Sequence, residues 1–237
     1  MSKETLKNKE HYTFDDLVEL LEILCAPDGC PWDSVQTHTS IRNNFIEETY
    51  EAIEGIDKND VGIMREELGD VLLQVMLHCE IGRKAGTFTK EQVLDELCNK
   101  LIFRHPHLFA DNYAANSPEQ AIANWEEIKK KEKGFGTGEK VVSSVSSALP
   151  SLMRAQKLNS KALKNGVISS LATADRVVCA AQHLEQAAQD EKQAALGDLL
   201  FAVCSYSAKL GIDAEQALFV KNDNFCKDIC ANCAKEK

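Results

Sequence analysis

Hydrophobic residues recur at intervals of three and four along most of this chain, which is the spacing of helices that bury one face. The first such segment runs from about Phe14 to Cys25, and Thr13 and Asp16 have the spacing of a capping box at its start. The same spacing predicts further helices over residues 40–56, 61–85, 90–103 and 116–133. No run of alternating β-branched residues is long enough to indicate a sheet. The pattern predicts an all-α fold.

The helical pattern is interrupted by a stretch rich in glycine and serine, after which it resumes near Leu149. We therefore expect a first domain over residues 1–136, a linker over 137–147 and a second domain over 148–237. The segment Leu196-Gly-Asp-Leu-Leu200 lies 128 residues after the similar segment Leu68-Gly-Asp-Val-Leu72, and each is followed by an apolar helix and a glycine turn. The sequence predicts two copies of one helical unit in tandem.

Five carboxylates stand close together in two of the predicted helices: Glu47, Glu48, Glu51, Glu67 and Asp70. Residues three or four apart share a helix face, so these groups form neighbouring pairs of like charge. Beside an apolar core the repulsion is costly unless a cation neutralises it. Carboxylate oxygens with no Cys or His at ligand spacing favour Mg²⁺ or Mn²⁺ over zinc.

The second copy keeps little of this acidic pattern. At the same gapless offset, Glu47, Glu48, Glu51, Glu67 and Asp70 fall on Asp175, Arg176, Cys179, Ala195 and Asp198, respectively. Arg176 would bring a positive charge into the cation position, and one aspartate is a poor Mg²⁺ site. If the alignment contains a gap, Glu185 and Asp190 become the nearest acidic candidates, but their spacing does not restore the motif. We expect the second copy to be catalytically empty.

Charge and composition limit the classes of partner. The 237 residues carry a formal charge of -10, which argues against nucleic acid or an anionic membrane as a partner. A small anionic ligand bound through metal is compatible with it. No apolar region follows the N-terminus and no run approaches about 18 apolar residues, so we expect a cytoplasmic protein.

The distribution of cysteines indicates a protein of a reducing compartment. They number nine and scatter through helical patterns, which indicates buried thiols rather than a disulfide framework. Cys226, Cys230 and Cys233 have a spacing that three zinc ligands could share, but no fourth ligand is evident nearby. Packing along one side of a terminal helix is the preferred interpretation.

The acidic motif resembles that of a known family. Glu47-Glu-x-x-Glu51 followed by Glu67-x-x-Asp70 is similar to the signature of the MazG-type nucleoside triphosphate pyrophosphohydrolases, in the all-α NTP pyrophosphatase superfamily. Further similar stretches extend the resemblance over nearly the whole chain: Cys30-Pro-Trp-Asp33 with Gln36-Thr37, Arg104-His-Pro-His-Leu-Phe109 and Asn124-Trp-Glu-Glu-Ile-Lys129. Two-domain members commonly keep the acidic motif in the second copy, and this chain departs from that pattern.

The resemblance implies hydrolysis of a nucleoside triphosphate between its α- and β-phosphates, with broad or non-canonical nucleotide specificity. It also implies a four-helix-bundle core completed by homodimerisation. From the residues alone, the partner hairpin is either the second repeat or another chain. The roles assigned to the motif are Mg²⁺ binding by Glu48, Glu51, Glu67 and Asp70, and catalysis by Glu47 with Glu48. Glu47 is the spare carboxylate, free to orient or deprotonate the attacking water.

Other segments supply candidate substrate contacts: Trp32, Arg104, His105, Asn124, Trp125 and Lys129. Each has an alternative structural explanation. Trp32 could fill a core, the cations at the end of the 90–103 helix could complement its dipole, and the lysine run could be a solvated face. His78 continues the helix face of Glu67 and Asp70, although a hydrogen-bonded, partly buried histidine is the simpler interpretation.

Two other functional classes are alternatives for a helical chain of this kind. A carboxylate-bridged di-iron bundle places Glu-x-x-His pairs on its helices, and this sequence contains no Glu-x-x-His. A non-enzymatic nucleotide-binding or regulatory helical protein stays open as the alternative, above all for the second copy.

Overall fold

The chain divides into two compact units, Met1–Trp125 and Glu126–Lys237, and the division falls inside one helix. The structure is a computed structural model, and it describes residues 3–110, 115–133, 138–166 and 172–235. Every regular element in those ranges is helical, which confirms the all-α prediction. The expected domain limits, the linker and the tandem repeat stay predictions.

The first unit contains six helices and the start of a seventh: α1 Lys3–Lys7, α2 Phe14–Cys25, α3 Arg42–Asp57, α4 Val61–Ala85, α5 Lys90–Arg104, α6 Pro106–Phe109 and α7 Pro118–Lys133. The predicted bounds of α2 and α4 agree with the structure, and those of α3, α5 and α7 agree within two residues. The short helices α1 and α6 were not predicted, because neither is long enough to show an apolar period.

Side-chain caps begin these helices where the sequence has Thr or Asp. Thr13 and Asp16 form the expected capping box at the start of α2. Asp60 accepts hydrogen bonds from two backbone N–H groups in the first turn of α4. At the other end of α4, Gly86 adopts a left-handed conformation with φ 68°, which glycine takes without a Cβ clash.

The core of the first unit lies between α2 and α4. Leu21 and Cys25 of α2 pack with Met76 and Leu77 of α4, and Ile41 just before α3 completes the cluster. The hairpin of α3 and α4 is tightly packed near its connection, because Gly55 approaches Met64 so closely that an added Cβ would lie 2.8 Å from the backbone nitrogen. These contacts fix how α3 lies on α4.

The second unit contains α8 Gly138–Ser143, α9 Ser151–Lys164, α10 Ala174–Gln186, α11 Lys192–Leu210 and α12 Ala214–Lys235, besides the end of α7. Helix α8 lies within the stretch expected as a linker; Gly134 to Thr137 lie outside the described residues. Gly211 ends α11 in the left-handed conformation, φ 70°. Gln156 of α9 holds the α11–α12 connection, because its amide bonds to both Ile212 O and Ala214 N.

No single helix in the described ranges has both the length and the apolar character needed to cross a membrane. Helices α11 and α12 meet that requirement only as a pair, and the chain bends by 107° between them. The thiols of Cys226 and Cys230 are exposed and free, and the side chain of Cys233 lies outside the described part.

Candidate functional site

The α3–α4 hairpin brings the two acidic stretches together. Only three residues, 58–60, connect the helices, so positions equally distant from the connection face each other. Glu48 and Asp70 form one such pair of positions, and Glu51 and Glu67 form the next. The convergence of the two acidic stretches is therefore a consequence of the short connection.

Three of the carboxylates lie close enough to share one cation. Oxygen atoms of Glu48, Glu67 and Asp70 lie within 4.8 Å of one another, and all three side chains are half-buried. Burial, followed by the charges of Asp70, Glu51 and Glu47, raises the pKa of Glu48. Burial and the neighbouring carboxylates, of which Glu51 acts most strongly, also raise the pKa of Glu67.

Glu51 and Glu47 stand at the edge of this cluster. Both side chains are exposed, and neither belongs to the group of three converging oxygens. The charge of Glu51 acts on Glu48 and Glu67, whereas that of Glu47 acts on Glu48. The predicted roles of Glu51 as a ligand and Glu47 as a base stay predictions.

Gln74 extends the cluster along α4, one turn beyond Asp70. Its side chain is only 5 % exposed and forms a hydrogen bond with Glu48, which acts to lower the pKa of that carboxyl. A carboxylate only accepts, so the amide nitrogen must be the donor. The other end of the amide, Oε1, is buried and has no hydrogen-bond partner within the described ranges. The spacing of Glu67, Asp70 and Gln74 was the sequence signal for this contact.

A histidine pair lies further along the same face. The Nδ1 atoms of His38 and His78 are 2.8 Å apart, so one ring donates and the other accepts, and Phe88 stacks on His38 at 5.6 Å. Burial, followed by the charge of His38, lowers the pKa of His78. With Phe45 and Val93 the two rings line an open, apolar cavity of about 530 Å³. His38 lies before α3, where no periodicity could indicate this partner.

The donor set fits a hard divalent cation. Three carboxylates supply only oxygen, and the raised pKa values of Glu48 and Glu67 indicate that the protein itself supplies too little positive charge to the cluster. Oxygen-only sites favour Mg²⁺ or Mn²⁺ over zinc. Across the described ranges, no other group of three or more acidic, histidine or cysteine side chains converges in this way.

Trp32 lies on a loop that is anchored at both ends. Its ring is 54 % exposed, so it is not the core residue of the alternative interpretation. The Lys84 ammonium donates to the carbonyl oxygens of Cys25 and Ser34 at 2.8 and 2.9 Å, which ties the loop to α4. Gly29 passes so close to the end of α2 that a Cβ would lie 2.2 Å from Ile23 O.

The end of α5 and the middle of α7 come together at an aromatic ring. The Arg104 guanidinium is buried and lies 5.4 Å from the ring centroid of Trp125, a cation–π contact. His105 donates from Nδ1 to Leu101 O at 2.6 Å, which ties it to its own helix. Asn124 is half-buried beside Trp125, whereas Lys129 belongs to the second unit. Substrate contact by these residues stays a prediction.

The corresponding hairpin of the second unit has a different register. Five residues, 187–191, connect α10 and α11, so counting outward places Ala180 opposite Asp198 and Arg176 opposite Ala202. The gapless alignment had paired Arg176 with Asp198 instead. Neither register places a carboxylate directly opposite Asp198, and the absence of a metal centre from the second unit stays a prediction.

Comparisons with known proteins identify the family. Residues 36–109 match the family model described as the MazG nucleotide pyrophosphohydrolase domain. The chain is 38 % identical over 208 residues to the nucleoside triphosphate pyrophosphohydrolase/pyrophosphatase MazG of Thermotoga maritima, covering 86 % of this chain and 79 % of that protein. It is 35 % identical over 223 residues to the nucleoside triphosphate pyrophosphohydrolase of Escherichia coli K12, covering 89 % and 83 %.

A further relative is longer than this chain. The uncharacterized protein YabN of Bacillus subtilis is 38 % identical over 232 residues, which is 95 % of this chain but 46 % of that protein. The matched family segment contains both acidic motifs, Gln74 and the histidine pair. The chain therefore belongs to the MazG family of nucleoside triphosphate pyrophosphohydrolases.

Proposed function

We propose that the chain hydrolyses nucleoside triphosphates between the α- and β-phosphates in a Mg²⁺-dependent reaction, releasing a nucleoside monophosphate and pyrophosphate. The observation that carries the proposal is the convergence of Glu48, Glu67 and Asp70 oxygens within 4.8 Å, between helices matched by the family model. Mn²⁺ is the alternative cation, because it accepts the same oxygen donors.

Within this proposal Glu48, Glu67 and Asp70 hold the cation, and Glu51 completes the set from the facing turn. When bound, Mg²⁺ would neutralise the charge of the triphosphate and polarise its oxygens. Gln74 keeps the Glu48 carboxylate directed into the cluster through its amide N–H. The protein's contribution is mainly positioning and charge stabilisation, which are the main demands of phosphoryl transfer.

Glu47 is the proposed base. Its exposed carboxylate stands beside Glu48 but outside the converging group, so it is available to take a proton from water. The water oxygen forms a bond to the α-phosphorus while the bond between that phosphorus and the bridging oxygen breaks. The bridging oxygen leaves with pyrophosphate, and the proton passes to Glu47.

The proposed substrate range is broad. The cavity beside the histidine pair begins one turn from Glu48 along α3, and its apolar, aromatic walls accept any flat base by stacking. Trp32 is exposed, and we propose that its ring stacks on a base in the same way. We propose that the triphosphate or the base is also contacted by five further residues: Arg104, His105, Asn124, Trp125 and Lys129.

A homodimer is proposed as the working form. Apolar side chains on the α3–α4 hairpin remain exposed, among them Ile46, Ile53, Leu68 and Leu72. A two-helix hairpin cannot bury such residues alone, whereas two hairpins packed as a four-helix bundle can. Sedimentation equilibrium should give twice the chain mass of 26.3 kDa, and a monomer at micromolar concentration would contradict the dimer.

The decisive experiment is pyrophosphate release from a panel of canonical and modified nucleoside triphosphates, with and without Mg²⁺. Glu48→Gln should abolish release, because it removes a charged oxygen from the cluster. Glu54→Gln is the matched control, since Glu54 lies on the same helix but is exposed and paired with Lys58. No turnover of any triphosphate would overturn the proposal and favour the non-enzymatic nucleotide-binding alternative.

A further inference from the structure

The second unit has a cavity of its own, which the proposed reaction does not use. It lies between α10 and α11 and has a volume of about 580 Å³. Cavities of roughly 300–1,000 Å³ are typical of sites for small molecules. Its place on the hairpin corresponds to that of the acidic cluster in the first unit.

The lining of this cavity is chemically mixed. Two nitrogen-bearing side chains, Arg176 and His183, lie on one face of α10 at a spacing of seven residues. Asp198 and the buried hydroxyl group of Ser205 come from α11. Between them stands Phe201, whose ring is 42 % exposed. Asp175 also lines the cavity, so cationic and anionic groups face the same space.

These residues do not suit a hard metal. Ala180 lies at the level of Asp198 and His183 at the level of Ala195, so the group of three converging carboxylates in the first unit has no counterpart here. Within the described ranges the only converging ligand group is that of the first unit. An anionic ligand in the second cavity must therefore be held by the protein's own cations.

The polar groups are arranged along the cavity in a definite order. Arg176 lies in the first turn of α10, where the helix dipole also favours an anion, and it faces the part of α11 near Ser205. Asp198 lies seven residues before Ser205, which is about 10 Å along a helix. Phe201 falls between these two ends. A phosphate-binding end, an aromatic surface and a carboxylate acceptor are thus in line.

We propose that the second unit binds a nucleoside monophosphate without a metal. The phosphate pairs with Arg176, the base stacks on Phe201, and an amino group on the outer edge of the base donates to the carboxylate of Asp198. A monophosphate is favoured over a triphosphate, because one arginine cannot neutralise a triphosphate beside Asp175 and Asp198. The binding itself does not depend on the proposed function; its meaning as product sensing rests on that function.

The test is titration calorimetry of the full chain with adenosine monophosphate in EDTA, which prevents metal-dependent binding in the first unit. One site per chain is expected. Arg176→Ala should weaken it about tenfold or more, since it removes a charged hydrogen-bond donor. Arg176→Lys should retain part of the affinity, and Arg154→Ala, an exposed arginine on α9, should leave it unchanged.

Two further arms separate this site from the proposed catalytic site. Glu48→Gln should abolish turnover but leave monophosphate binding intact, so failure of one proposal does not imply failure of the other. Adenosine alone should bind more weakly than the monophosphate. The inference is overturned if the monophosphate does not bind, if Arg176→Ala binds as well as wild type, if adenosine binds equally well, or if Glu48→Gln removes the binding.

Discussion

Gln74 of α4 bonds through its side-chain amide to the Glu48 carboxylate of α3, while its own Oε1 has no partner among the described residues. A buried carbonyl without a donor costs about 1–3 kcal/mol, so this side chain is not placed for stability alone. The amide is best explained by its effect on Glu48. It fixes the direction of one proposed ligand from the helix that carries two others.

Gln74→Leu should separate the two effects of this residue. The leucine removes the unpaired oxygen, so the melting temperature should hold or rise. Loss of the bond to Glu48 should raise the Mg²⁺ concentration for half-maximal activity and lower the rate by about tenfold. Leu73→Met, a volume-conserving change at the adjacent position, is the control. An unchanged Mg²⁺ requirement in Gln74→Leu would contradict a positioning role.

Neutralising one carboxylate should stabilise the metal-free fold. Burial and four neighbouring acidic groups raise the pKa of Glu67, so its ionised form is disfavoured in the folded state. The free energy of unfolding therefore falls as the pH rises from about 4.5, the ordinary pKa of Glu, through the raised pKa of Glu67. In EDTA, Glu67→Gln should melt above wild type at pH 7, and the difference should shrink toward pH 4.5.

Mg²⁺ should reverse this order of stability. A cation that binds only the folded protein raises its melting temperature, and wild type has the complete cluster. Differential scanning calorimetry with Mg²⁺ should therefore show a larger increase for wild type than for Glu67→Gln. Equal increases in the two proteins would argue that the metal binds elsewhere.

The capping box of α2 should be sensitive to acid. Lys9 donates to Asp16 at 2.5 Å, and this contact with two hydrogen bonds from Thr13 lowers the pKa of Asp16 to about 2. A lowered pKa gives stability that is present above the unfolded value, about 3.8, and is lost as pH falls through the folded value. Wild type should melt above Asp16→Asn at pH 6, and the gap should close between pH 4 and 2.

The exposed neighbour Asp15 offers a control for this effect, because it takes no part in the capping box. Asp15→Asn should change the melting temperature less than Asp16→Asn does at pH 6. A gap for Asp16→Asn that stays constant from pH 6 to 2 would count against the ion pair as its source.

Two helical glycines should respond in opposite directions to alanine. At Gly82 an added Cβ would lie 2.8 Å from the Phe88 ring, so Gly82→Ala should destabilise the first unit by about 1–3 kcal/mol. At Gly197 a Cβ would meet nothing within 4 Å, so Gly197→Ala should stabilise α11 by up to about 1 kcal/mol. Urea unfolding measures both, and the same sign for both would refute the packing argument.

The sequence predicted the long helices because each carries a clear apolar period, and capping residues mark the start of some of them, as Thr13 and Ser117 illustrate. It also predicted one metal site formed by Glu48, Glu51, Glu67 and Asp70, and the structure brings oxygen atoms of three of these, Glu48, Glu67 and Asp70, within 4.8 Å of one another. It could not predict the pairing of His38 with His78, which are 40 residues apart and depend on how the loop before α3 packs.

The second unit shows a different limit of sequence reasoning. The repeated Leu-Gly-Asp segment fixed an offset for α11, but an alignment without gaps extends that offset to α10, where the register differs by about one turn. Hydrophobic periodicity indicates which face of a helix a residue lies on. It does not indicate which residue of a neighbouring helix lies opposite. An offset without gaps therefore places Arg176 opposite Asp198, whereas the structure places Ala180 there.

The number of residues that connects two helices thus decides which side chains can share a site in this fold. Three residues join the helices that share the acidic cluster, and five join α10 and α11 in the second unit. A site divided between two antiparallel helices exists only while their axial register holds. A small insertion at such a turn therefore removes a divided site with every ligand residue unchanged, a route that a search for substituted residues would miss.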